Sequence, residues 1–370
     1  MNLKTTKTFA AVAATAMTMT VSAANAESVN LAVDRVQQRY PWNNLVDIDY
    51  TVSGFPDDAD PMDYYFDVTI LATVNGEPIK ISASNFVNYA WCDLPVTNGT
   101  WRATWDSAAD GVDFRTEDLR VELKLCKRVI AKSEADYMIV DISGGKNAIT
   151  YPIRYVIAPN APTRLFNTAL YKTDRIVLKR VSAGQFTMGA NVNGFKPVHT
   201  VVLTKDFFAG IFLVTQRQYE LVVGTCPSTF KTDAPGNPVA QRPVESIGIT
   251  GTILGSNGFL DRLNKKMSDH GCAETGMSIP TEAQIDYLTR AGVQTEYLWG
   301  DSWNAEEAKK YSWYSGNSGK TTHAVGQLLP NNWGFYDVVG NAAVWCPDCV
   351  CNYDADPNYD AETNTATDPV

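Results

Sequence analysis

Residues 46–52 read Val-Asp-Ile-Asp-Tyr-Thr-Val and alternate apolar and polar side chains without a break. A period of two places one set on a core face and the other in water, which fits a half-buried β-strand and no helix. The pattern returns at residues 65–70, 119–125 and 137–142. Turn signals separate these runs: residues 54–61, Asn75-Gly76, Asn98-Gly99, Asp110-Gly111 and Gly144-Gly145. Several short strands at this spacing predict an all-β sandwich over residues 27–165, immunoglobulin-like in shape. It carries no catalytic constellation and reads as a support or adhesion module.

Ahead of it, Lys4 and Lys7 precede an apolar stretch over residues 9–21, and Ala24-Asn25-Ala26 has the small-x-small form of a cleavage site. This predicts a secretory signal peptide over residues 1–26 and an exported protein: periplasmic, cell-surface or secreted. No later segment reaches about 18 consecutive apolar residues, so no membrane span is expected. Lys and Arg number 31 against 41 Asp and Glu, a formal charge of −10 with no basic run. Such a surface repels phosphate, which argues against nucleic acid and anionic membranes as partners.

Export makes disulfides plausible. The seven cysteines are Cys92, Cys126, Cys226, Cys272, Cys346, Cys349 and Cys351. An odd count leaves one as a thiol or bonded outside the chain. Cys92 with Cys126 is the preferred pairing, and Cys226 with Cys272 the second. Cys346-Pro347-Asp348-Cys349-Val350-Cys351 is also a half-site for a soft metal, so a thiol-redox or metal role stands as an alternative.

Residues 159–162, Pro-Asn-Ala-Pro, mark a linker, and a second domain is expected over 166–370. Two helices are predicted, one over about 215–223 and one capped by Thr281 and running to about Arg290. Glu282 and Arg290 lie near one side of the second helix and read as a structural ion pair. After Gly292 the chain reads as loops rich in aromatics. Such a domain needs large rings, at about 150–250 Å² each, to bury enough area.

A set of ordered motifs then resembles the formylglycine-generating enzyme (sulfatase-modifying factor) family. Phe186-Thr187-Met188-Gly189 is similar to its opening F-x-M-G, and the stretch from His199 to Phe208 to its H-x-V-x-L segment. Val214-Thr215 with Tyr219, Pro227-Ser228 with Phe230, and Pro243-Val244-Glu245 follow in family order. Pro280-Thr281-Glu282-Ala283, Arg290-Ala291-Gly292 and Trp299-Gly300-Asp301 come next. The last match runs Pro330-Asn331-Asn332-Trp333-Gly334-Phe335-Tyr336-Asp337-Val338-Val339-Gly340-Asn341. The resemblance covers about residues 176–352.

It implies a C-type-lectin-like, irregular α+β domain. Active members oxidise a sulfatase cysteine to formylglycine with oxygen and copper held by two cysteines, in and after an Arg-Gly-Gly-Ser-Trp strand. That strand motif does not occur here, so no copper ligand is carried over and the domain is expected to be truncated at its C-terminus. A family calcium site would map onto the Asp337 side chain and the carbonyls of Gly340 and Ala342, with Val344 where the family has a glutamate. Related iron enzymes use a histidine cluster, whereas His199, His270 and His323 are widely spread. The expected function is therefore a non-catalytic structural or ligand-binding role, with an unknown protein or carbohydrate as ligand and residues 297–314 as an aromatic surface. The alternative is a truncated copper-dependent formylglycine-generating oxidase.

Overall fold

The computed structural model describes residues 19–20, 29–39, 43–57, 59, 61–113, 118–127, 130–158, 162–189, 198–269, 276–348, 359–360 and 365–368. The predicted leader falls almost wholly outside them, as do most of the linker, Cys272, Cys349 and Cys351. The chain forms two compact units, Met1–Val129 and Ile130–Val370.

The first unit is β-rich. Strands β1 (Met19–Thr20), β2 (Asn30–Gln38), β3 (Leu45–Ser53), β4 (Tyr64–Val74), β5 (Glu77–Ser82), β6 (Gly99–Asp106) and β7 (Leu119–Lys127) form two antiparallel sheets, ordered β1-β2-β3-β6 and β5-β4-β7. The alternating run at 46–52 is the middle of β3, and Val46, Ile48, Tyr50 and Val52 all turn inward. They share one core with Phe66, Val68 and Ile70 of β4 and with Trp105 of β6. Tyr50 meets Phe66 edge-on at 5.5 Å between ring centres. Asn75 and Gly76 close the β4–β5 hairpin between Val74 and Glu77, both at positive φ, as a two-residue turn of this twist requires.

The second unit has β8 (Tyr137–Asp141), β9 (Ile153–Val156), β10 (Arg175–Val181) and β13 (Phe207–Gly210) in one antiparallel sheet, ordered β13-β10-β8-β9. A second sheet joins β11 (Gly184–Met188), β12 (His199–Leu203), β15 (Thr365–Thr367) and β14 (Tyr359–Asp360), with β12 and β15 parallel. The helices are α1 (Ala169–Thr173), α2 (Gln216–Val223), α3 (Phe259–Asp269), α4 (Glu282–Arg290) and α5 (Ala305–Tyr311).

Two expectations change here. The run at 137–142 is a strand, but it pairs residue by residue with β10 of the second unit, so the break comes at 129/130 rather than 165/166. The reason is burial on both faces: Tyr137, Met138, Ile139 and Val140 are all buried, and such a strand must sit inside a sheet with cover on each side. Cys92 and Cys126 are thiols, not a disulfide. Cys92 is buried, while Cys126 follows Leu125, which packs on the core of the first unit, and its S–H reaches Asp67 Oδ2 at 3.4 Å.

Both predicted helices form, and each starts on a full capping box. Thr215 Oγ1 accepts the Gln218 N–H while the Gln218 side chain takes the Thr215 N–H, and Thr281 with Gln284 repeats the arrangement. Arg290, however, pairs with Asp286 at 3.0 Å rather than with Glu282. Residues four apart stack on adjacent turns, whereas eight apart is about 12 Å along the axis.

Candidate functional site

The matched motifs sit mostly in the scaffold. Phe186 and Met188, Val201 and Leu203, and Ala283 form one buried cluster that joins β11, β12 and α4. Asn331 anchors the loop that follows. Its side-chain amide donates to the Leu288 carbonyl at 2.7 Å, and its oxygen accepts the Trp333 and Phe335 N–H groups at 3.1 Å each. Gly334 has φ +88°, and a Cβ there would meet Thr163 Oγ1 at 2.6 Å. Gly340 has φ +85° and lies over the Trp313 carbonyl. Both turns need glycine.

Between these scaffold elements lies a cavity of about 930 Å³. Its floor is Ile176 and Leu178 of β10 with residues 207–214. Its walls are Tyr219 of α2, Phe259, Leu260 and Leu263 of α3, and Ile285 and Leu288 of α4. Residues 276–280 and 336–345 close the remaining sides. Val344 and Trp345 stand at its edge, 42% and 47% exposed, with the Trp345 indole N–H donating to the Ile247 carbonyl at 3.0 Å. Charge is confined to a few points. Arg180 spans from the Ala135 carbonyl at 2.6 Å to Asp206 at 3.2 Å and lies over the Phe208 ring.

Asp337 lines the cavity as well. Burial pushes its carboxyl above the usual range, against the pull of the Gly326 N–H, Asn341 and Lys172. Burial drives the Lys172 ammonium the other way, down to about 8, opposed by Asp337. Lys172 is packed over the Phe212 ring, which in turn stacks on Tyr336 at 5.1 Å.

Asp337, Gly340 and Ala342, the carried-over calcium set, are close in the chain, and the Asp337 carboxylate and the Gly340 carbonyl already accept hydrogen bonds. Asp337 accepts from Gly326 N–H at 2.7 Å and from Asn341 at 3.1 Å, and the Gly340 carbonyl accepts the Ala342 N–H at 2.8 Å. Val344 adds no ligand oxygen and turns to solvent. This set does not fit a hard dication that wants six to eight free oxygens.

Among the described residues no group of three His, Cys, Asp or Glu could hold a metal ion. Cys226 is a thiol whose S–H reaches Ser228 Oγ at 3.4 Å. Burial, with Asp348 and Glu282 nearby, pushes the Cys346 thiol up to about 11. His199 is buried on β12, and His323 is pinned: its ring stacks on Trp313 at 3.7 Å and Nε2 meets the Ser318 carbonyl at 2.9 Å. The cavity itself is lined mainly by apolar side chains.

Residues 167–365 match the family described as sulfatase-modifying factor enzyme 1-like domain. The chain belongs to that family. The match begins before and ends after the stretch in which the motifs are readable, and it lies within the second unit, leaving out β8 and β9. A similar curated protein is the chaperone protein LppX of Paenibacillus barcinonensis, 26% identical over 186 residues. That alignment takes in 39% of this chain, and the chain spans 63% of that relative's length. Among solved structures, Treponema denticola variable protein 1 is similar with 24% identity and a TM-score of 0.41, over 48% of this chain and 74% of that one.

Sequence reasoning did not find the cavity. The nearest signal is Phe207-Phe208 with Ile211-Phe212-Leu213-Val214, an apolar run that neither a strand nor a helix period explains.

Proposed function

We propose that this family member is an exported, non-catalytic accessory protein that holds an apolar segment of a partner protein in the cavity of its second unit. The cavity is the observation that carries the reading. About 930 Å³ lies within the range of roughly 300–1,000 Å³ typical of ligand sites, and its lining is mainly aliphatic and aromatic. The exposed Val344 and Trp345 at the edge are the kind of apolar surface that marks a binding site. The description of the Paenibacillus relative as a chaperone favours a polypeptide as occupant. Residues 1–26 fit a signal peptide, which places the partner outside the cytoplasm. The first unit, with two antiparallel sheets around one core, fits an immunoglobulin-like support.

The non-catalytic part rests on the sequence: in the family the copper-holding cysteine pair accompanies an Arg-Gly-Gly-Ser-Trp strand, and that motif does not occur here.

The test is fluorescence anisotropy of a labelled Leu/Phe/Val-rich peptide against the protein without residues 1–26. Saturable binding that Val344→Asp weakens about tenfold or more is expected, because a carboxylate at the edge must be desolvated as the peptide enters. Val344 is exposed, so the fold should survive the change. Equal binding by the variant overturns the site. Binding of a fatty acid with no binding of the peptide overturns the partner. Oxygen-dependent conversion of a sulfatase cysteine peptide after copper loading would establish the oxidase reading instead.

A further inference from the structure

A second surface in the α+β unit lies apart from the cavity and takes no role in it. Tyr297 and Gly300 exchange backbone hydrogen bonds at 3.0 and 3.2 Å, which folds Tyr297 and Trp299 onto one side of a tight turn. Their rings stack at 5.2 Å and 11°. Asn304 then caps α5, its side-chain oxygen accepting the Glu306 and Glu307 N–H groups, so Trp303 projects from the residue before the cap. Tyr311, at the far end of α5, lies against the other side of Trp299 at 6.3 Å. Tyr314 meets Trp303 edge-on at 5.4 Å.

These rings are not core. None is fully buried, and Trp303 is 53% exposed. Three neighbours hold it, since Tyr297 and Trp299 also meet its ring at 5.8 Å each. An indole held this firmly yet open to water loses little freedom when a ligand covers it. The rings touch one another with centroids 5.2–6.3 Å apart, which leaves no gap for a methylated ammonium to sit caged between them. What remains open is the single indole of Trp303, set at 69–87° to the three rings that hold it.

Charge narrows the ligand further. Residues 294–304 carry Glu296 and Asp301 and no Lys or Arg. The next cations, Lys309 and Lys310, are tied to Glu306 at 2.6 Å and Glu307 at 2.7 Å. The surroundings therefore repel carboxylate, sulfate and phosphate groups, and offer carboxylate acceptors to hydroxyl donors. A ligand with a flat C–H face and a rim of neutral hydroxyls meets both conditions. We propose that the Trp303 platform binds a neutral saccharide chain.

The test uses the protein without residues 1–26 and neutral hexasaccharides of glucose, xylose and N-acetylglucosamine, followed by tryptophan fluorescence and saturation-transfer NMR. At least one is expected to bind and to perturb Trp303. Trp303→Ala is expected to weaken it about tenfold or more, Trp303→Phe much less, and Asp301→Asn about two- to threefold. Melting temperatures should stay close to the parent's, because Trp303 and Asp301 are exposed. The cavity-edge variant Val344→Asp should bind saccharide normally, so this surface stands or falls separately from the cavity. Absence of binding by all three sugars at millimolar concentration overturns the proposal. So does binding that Trp303→Ala leaves intact, or tighter binding of choline or of a sulfated hexasaccharide than of any neutral one.

Discussion

In the first unit, Ile48 sits on a strand whose neighbours β2 and β6 take up its backbone groups along the whole of β3. The side chains are left to pack, and they do so in one core. In the second unit, Asn331 alone ties four backbone groups: the carbonyls of Leu288 and Thr289 and the N–H groups of Trp333 and Phe335. Asn237 does the same for the Thr322 carbonyl and the Ala324 N–H, with Arg242 bonded to its oxygen. Asn341 joins both the His323 N–H and the His323 carbonyl. Buried backbone must be paired somewhere. Strands pair it with each other, whereas irregular loops depend on single buried amides. The regular unit therefore spreads its stability over many equivalent contacts. The irregular one concentrates it in a few side chains, and that leaves room between them for a cavity and for surface aromatics.

The sharpest way to break this contrast is Asn331→Leu. It strands buried backbone donors and acceptors at about 1–3 kcal/mol each, so a loss of about 3 kcal/mol or more is expected in chemical denaturation. Hydrogen-exchange protection should fall over residues 288–341 and hold over 45–106. Equal loss in both regions would refute the contrast. Ile48→Ala is the counterpart in the first unit. A cavity in a regular core should cost about 2–4 kcal/mol, with protection lost across β3, β4 and β6 and not around Asn331. Thr215→Ala removes one half of a capping box and should cost about 1 kcal/mol, read as faster exchange in the first turn of α2.

The smallest effect is in the pH response, where two pairs of carboxyls, one pair in each unit, should differ in sign. In the first unit, hydrogen bonds from Arg102 and Arg35 outweigh burial at Asp49, and those from Ser84, Trp105 and Asn85 do so at Asp110, so both carboxyls lie below their ordinary range. A depressed carboxyl contributes stability that is present above about pH 4 and is lost as pH falls through its folded value. In the second unit, burial raises Asp286 and Asp337. These bind protons in the folded state first, so acidification from their raised values down to about pH 4 favours folding there. Exchange protection, corrected for intrinsic rates, should fall in the first unit as pH drops below about 4, and rise around Asp337 as pH drops toward about 4. Lys172 adds an alkaline signature. With its folded value near 8, the second unit gains stability from about pH 8 to about pH 10.5, and Lys172→Met should abolish that gain.

Much of this architecture is readable in residue order. The alternation at 46–52 and 65–70 marks β3 and β4, and Asn75-Gly76 marks their neighbouring hairpin. The two Thr-x-x-Gln boxes mark the starts of α2 and α4. The helix α3 was not among the predicted helices, although Phe259, Leu260, Leu263 and Met267 join one core cluster. The ordered motifs place the family, and most of their residues prove to hold the loops together rather than to form a site.

What the sequence by itself determined are features set within a few residues of one another: strand period, turn glycines and helix caps. Tertiary structure alone decided that residues 137–141 join β10, that Cys92 and Cys126 stay thiols, and that Arg290 reaches Asp286. It alone brought Phe208, Leu263, Ile285 and Val344 around one cavity and left Trp303 open to water. The reason is range. A local signal names the element a residue belongs to. Partners, cavities and exposed faces depend on how distant elements close on one another, and many closures satisfy the same local pattern.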